Sequence, residues 1–200
     1  MIDFLTIASN LPRMNNMRDV SPHEEPPQQA GIDIKLIVQF LIDFVKNPLQ
    51  KISLLPDWNW TSLFILQILF AVISGTFAGL IKLSFYGVLF GIIIMPVVST
   101  VAALLLTLFL YYYFQFFENK TEPFKKLFTL VILSSLPFYL FQILSDYFAP
   151  VTLIGFAFTS LLAVVGLHEN FGLTKKRSYQ IVGFLFVLII VAWIFNRQSA

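Results

Sequence analysis

The sequence predicts an all-α, polytopic membrane bundle: five transmembrane helices with an N-terminal interfacial amphipathic helix. Three observations carry that expectation. From Leu83 to Phe117 no charged side chain occurs. As a helix this run would reach roughly 52 Å, beyond a hydrocarbon core of about 30 Å. Hydrophobic residues make up 58% of the chain and charged residues 12%, where a soluble domain carries about 25% charged residues. The basic residues stand in short clusters beside apolar runs, such as Lys175-Lys176-Arg177, as the flanks of membrane spans do.

The same composition excludes other classes. A net charge of +2 with no extended basic stripe argues against nucleic acid as a partner. The chain has no cysteine, which removes disulfides and thiolate metal sites. Near the N-terminus the apolar piece Phe4–Ala8 follows Asp3 and precedes no small-residue cleavage site, so it does not read as a signal peptide. Residues 1–30 are expected to be a disordered tail. Ser21-Pro22-His23-Glu24-Glu25-Pro26-Pro27 is too polar and proline-rich to offset its ordering entropy, and His23 reads as a solvated side chain.

Residues 31–56 form the expected lead-in. Within Ile32–Leu49, the apolar positions Ile34, Ile37, Leu41, Phe44 and Val45 make a helical stripe, while Asp33, Lys35, Asp43 and Lys46 make spanning costly. Two placements satisfy the pattern: a helix lying on the membrane surface, or one packed on its own bundle. Asn47-Pro48 ends it.

Residues 57–196 hold the five expected spans. The first, about 62–82, is introduced by Trp58 and Trp60 as interface anchors. In it Ala71, Gly75 and Gly79 recur every fourth residue, and Gly87 and Gly91 repeat the spacing at the start of the second span. A face without side-chain bulk lets two helices approach closely, so these two should pack through it. The second span, about 88–116, has Ser84–Gly87 as lead-in and Pro96 as an expected break or kink. It ends in Tyr111-Tyr112-Tyr113-Phe114-Gln115-Phe116-Phe117, aromatic rings suited to the head-group boundary. The third, about 127–146, carries Pro137 as a second expected kink. The fourth, about 150–167, starts on Pro150, where the missing donor costs little. A polar loop from His168 precedes the fifth, about 178–195.

Charge distribution orients the bundle. With the N-terminus in the cytoplasm, Arg13 and Arg18 of the tail, Lys35, Lys46 and Lys51 of the lead-in, and Lys120, Lys125, Lys126, Lys175, Lys176 and Arg177 lie inside, leaving only Lys82 and Arg197 of the 13 outside. The expected topology is therefore N-in and C-out.

These parts in this order resemble the Yip1 family of membrane proteins. The most specific match is Val164-Val165-Gly166-Leu167-His168-Glu169-Asn170-Phe171-Gly172-Leu173-Thr174-Lys175-Lys176 before the last apolar run, similar to the family's Gly-Leu helix end, Gly-Leu-Ser/Thr and basic cluster. Phe40–Pro48 is similar to its apolar-aromatic lead-in closed by Asn-Pro. The likeness covers roughly 32–195. The eukaryotic branch's Asp-Leu-aromatic-Gly-Pro motif is absent, with Pro56-Asp57-Trp58 in that region. The resemblance therefore points to bacterial-type members in an inner membrane, with Golgi or ER membrane as the alternative, and away from Rab-GTPase binding.

No catalytic template occurs: there is no HExxH, Walker loop, GxSxG or clustered pair of intramembrane carboxylates. No enzymatic role, cofactor or metal is expected. Gln142 and Asp146 fall one turn apart on one helix side and, with Gln67, Ser74, Ser99 and Thr107, outline a candidate polar seam. It serves either as a lining for a small solute, ion or lipid head group, or as interhelical hydrogen bonding. Two functions follow. One is a non-enzymatic organiser of the bilayer and of membrane-protein partners, a second copy included; the other is a small transporter or channel.

Overall fold

The computed structural model describes residues 34–144 and 150–198, and the expectations for residues 1–33 and for Asp146 lie outside them. The described residues are all helical or connecting. In chain order they form α1 (Ile34–Lys46), α2 (Pro48–Ile52), α3 (Trp60–Ile81), α4 (Phe85–Phe117), α5 (Phe124–Ser134), α6 (Leu136–Gln142), α7 (Pro150–Phe171) and α8 (Lys175–Gln198). Among the described residues four stretches are long and apolar enough to cross a membrane: α3, α4, α5 with α6, and α7. The chain is a multi-pass membrane protein.

The central stave is α5. Every residue from Leu127 to Ser134 is buried, as expected of a helix apolar on all sides. It packs against α3, α4 and α7, and α2 touches its start. The outer helices have one face on this core and one face open. On α4 the open face carries Ile93, Val97, Val101 and Leu105, and on α8 Phe184, Val187 and Val191. Apolar surface this continuous is untenable in water and suits lipid.

Local chemistry sets the helix ends. Asn59 caps α3 by accepting from the Ser62 amide at 2.7 Å, and Ser84 caps α4 by accepting from the Gly87 amide at 3.1 Å. Between them the turn is tight enough to hold Leu83 at φ 50°, a left-handed conformation rare for a branched side chain. Gly172, at φ 65°, ends α7 at the position where glycine is favoured.

Several bounds differ from those expected. The 33-residue α4 runs from Phe85 through Pro96 without interruption, about 50 Å of helix. Proline deletes a single donor there, and the rest of the ladder carries the helix across it. Pro137 does divide its span: α5 stops at Ser134 and α6 starts at Leu136. The missing donor of Pro137 would have served Leu133, and the Ser135 hydroxyl bonds the Val131 carbonyl at 2.7 Å. His168–Phe171, expected as loop, is the last turn of α7.

Candidate functional site

Alternation of helix direction brings the start of α3, the end of α4, the start of α5, the end of α7 and the start of α8 to one end of the bundle. Lys51, Lys120, Lys125, Lys126, Lys175, Lys176 and Arg177 all belong to this end, and the segment from α2 to α3 is strapped across it, while α1 runs beside Phe70, Leu140 and Phe158.

Asn170 holds the strap. Its Nδ2 donates to the Ile52 carbonyl at 2.8 Å and to the Gly166 carbonyl at 3.1 Å, and its Oδ1 accepts from the Leu55 amide at 3.2 Å. One side chain thus fixes both the last turn of α7 and the connection after α2. Gly166 makes room for the crossing: a Cβ there would stand 2.1 Å from Leu130 Cδ1 and 3.3 Å from Ile52 Cγ1. Lys126 donates to the Asn170 carbonyl at 2.7 Å and lies over the Phe171 ring, 4.8 Å from its centre. The His168 Nδ1–H donates to the Leu173 carbonyl at 2.6 Å, closing the turn into α8. Two ion pairs complete the surface. Lys125 meets Asp57 at 2.6 Å, and Arg177 meets Glu118, which also accepts from the Tyr113 hydroxyl. The Glu118 hydrogen bond and charge hold the Arg177 guanidinium above its ordinary range.

The strap presents α1. Phe44 is buried in the core, Phe40 sets its ring edge-on to Trp58 at 5.0 Å, and Lys51 pairs with Asp43 at 3.2 Å. Val38 and Ile42 face outward, while Leu36 and Val45 stand exposed at the two edges of the packed side. Lys35, Gln39 and Lys46 are exposed on the same outer side, so the helix is anchored along its apolar side and is mixed, polar and apolar, on the other. A cavity of about 380 Å³ lies beneath it, walled by Leu41, Phe44, Phe70, Tyr139, Leu140 and Phe158 among others.

Away from this end, the small residues form a seam between α3 and α4. A Cβ on Gly75 would stand 2.7 Å from Gly91 Cα, and one on Gly79 would stand 2.5 Å from the Gly87 carbonyl carbon. Ala71, fully buried, continues this line one turn along. The candidate polar residues separate. Gln67, fully buried, donates from Nε2 to the Tyr139 hydroxyl at 2.6 Å, while Ser74 donates to the Tyr139 carbonyl at 2.8 Å. Gln142 places Nε2 3.9 Å from Met95 Sδ. Thr107, Thr129 and Ser135 bond carbonyls of their own helices at 2.7 to 2.9 Å.

Tyr139 was not singled out by sequence reasoning, and Gly166 and Asn170 entered it only within the segment similar to the Yip1 family, with no contact assigned. Asn170 offered one weak signal, an amide in a polar break next to an apolar run. Its partners Ile52 and Leu55 lie more than a hundred residues away in the chain. Among the described residues no group of His, Asp or Glu is placed to hold a metal.

A family model, the Yip1 domain, matches residues 42–196. No curated protein and no solved structure matches the chain.

Proposed function

The chain belongs to the Yip1 domain family, and on that premise we propose that it is a non-catalytic organiser of membrane proteins, spanning the bilayer five times. In this reading α8 is the fifth span, and residues 31–56 form a lead-in on the cytoplasmic face of an inner membrane. Residues 57–196 are the membrane domain. Partners dock on α1 and on the lipid-facing sides of the outer helices.

One observation carries the reading: α1 is held through Phe40, Phe44 and the Asp43–Lys51 pair yet leaves Val38 and Ile42 exposed among Lys35, Gln39 and Lys46. A helix side kept in a fixed pose loses little ordering entropy on docking a partner. Of the two placements foreseen for this helix, the reading takes the one packed on the bundle, with the outer side offered to partners.

The test is photo-crosslinking from position 42 in native membranes. A discrete membrane-protein adduct, or a second copy of this chain, is expected, and it should weaken on Val38→Asp, one turn away on the same side of the helix. The transporter reading has its own measurement. A solute or ion flux in proteoliposomes that falls on Gln142→Leu or Asp146→Asn, with no crosslinked partner, would replace the organiser role.

A further inference from the structure

A second cavity, of about 470 Å³, opens between the last turns of α4 and the first turns of α8. Phe109, Tyr112, Tyr113 and Phe116 form one wall, and Ile181 and Phe184 form the other. The two helices are bridged at the mouth by Glu118 and Arg177, and Glu118 also holds Tyr113 of the wall.

Helix spacing puts the charges over this groove. Arg177, Ile181 and Phe184 stand at i, i+4 and i+7, and Lys176 stands one turn before Gln180, which also lines the cavity. Lys175, Lys176 and Arg177 are exposed. An apolar slot at membrane depth with cations above it is complementary to an acyl chain joined to an anionic head group.

We propose that the α4–α8 groove is a binding site for one anionic phospholipid, with an acyl chain between the aromatic wall and Phe184 and the head group on Lys176 and Arg177. Tyr113 and Glu118 keep the slot open by fixing the end of α4 against α8. The site requires that this end of the bundle lie at the membrane surface, and it does not depend on docking at α1.

Native mass spectrometry of the full chain, released from micelles holding equal phosphatidylglycerol and phosphatidylcholine, tests the assignment. One phosphatidylglycerol should be retained per chain, at roughly tenfold preference or more. Lys176→Gln should bring the two lipids to near parity, while Lys175→Gln, one turn before Tyr179 and off the groove, should not. Gln180→Trp, an exposed position on the groove, should abolish retention, while Tyr179→Trp beside it should not. Equal retention of both lipids by the native chain would overturn the proposal, as would a preference that survives Gln180→Trp.

Discussion

Gly75 and Gly91 meet backbone to backbone: a Cβ on Gly91 would stand 2.3 Å from the carbonyl carbon and oxygen of Gly75. Between lipid-embedded helices the hydrophobic effect gives no drive to associate, so close packing has to supply it. Gly79 against Gly87 repeats the contact one turn away. Gly91→Ala should therefore destabilise the α3–α4 pair by roughly 1–3 kcal/mol, the range for overpacking a tight contact. Gly183→Ala, where a Cβ meets nothing within 4 Å, should be nearly neutral. Thermal unfolding in detergent compares the two, and equal melting temperatures would remove the seam from the account.

Asn170→Ala should free the strap. The change leaves the Leu55 amide and the Ile52 carbonyl without their side-chain partner, at a cost of about 1–3 kcal/mol for buried groups. The expected readout is faster hydrogen exchange at Leu55 and proteolytic cleavage between α2 and α3, with the core of α5 still protected. Asn170→Asp should behave similarly, because a carboxylate cannot donate to the two carbonyls.

How much of this was legible follows from where each contact lies in the chain. The glycines of α3 and α4 could be read because their spacing matches a helix turn and their helices are neighbours in sequence. The last turn of α7 could not. His168-Glu169-Asn170 has the composition of a loop, and it stays helical because Asn170 bonds the Gly166 carbonyl and because Gly172 supplies the positive φ one residue after the helix. Pro96 and Pro137 look alike in sequence, yet only Pro137 divides its helix. Beside Pro137 the Ser134 and Ser135 hydroxyls compete for the Val131 carbonyl, whereas near Pro96 only Ser99 turns back, to the Pro96 carbonyl at 3.2 Å. The polar residues were read as one seam because sequence gives spacing along a helix and not the identity of the neighbour. Gln67 in fact faces Tyr139.

Gln67 and Tyr139 should prove coupled in a double-mutant cycle. Gln67→Leu and Tyr139→Phe each remove one side of a buried hydrogen bond, and the interaction between them should be about 1 kcal/mol. Because Gln67 Oε1 has no partner, Gln67→Leu alone should cost little. Unfolding of the four variants in one detergent measures the cycle, and strict additivity would contradict the pairing.

Leu83→Gly should stabilise the α3–α4 turn. Leu83 is 94% exposed and sits at φ 50°, so its side chain buries nothing to offset a left-handed backbone. Relief of that strain, less the added freedom of glycine in the unfolded chain, should leave a gain of about 0.5–1 kcal/mol. The melting temperature should rise modestly, and a fall would show that the turn relies on the leucine.

The central claim is a five-span bundle with its basic end in the cytoplasm. Because the chain contains no cysteine, single cysteines introduced as Thr121→Cys, Thr174→Cys, Leu83→Cys and Ala200→Cys report sidedness against a silent background. With a membrane-impermeant thiol reagent applied to intact cells, Leu83→Cys and Ala200→Cys should label at once. Thr121→Cys and Thr174→Cys should label only after the membrane is opened. Labelling of Thr121→Cys or Thr174→Cys in intact cells, or protection of Ala200→Cys, would contradict the arrangement.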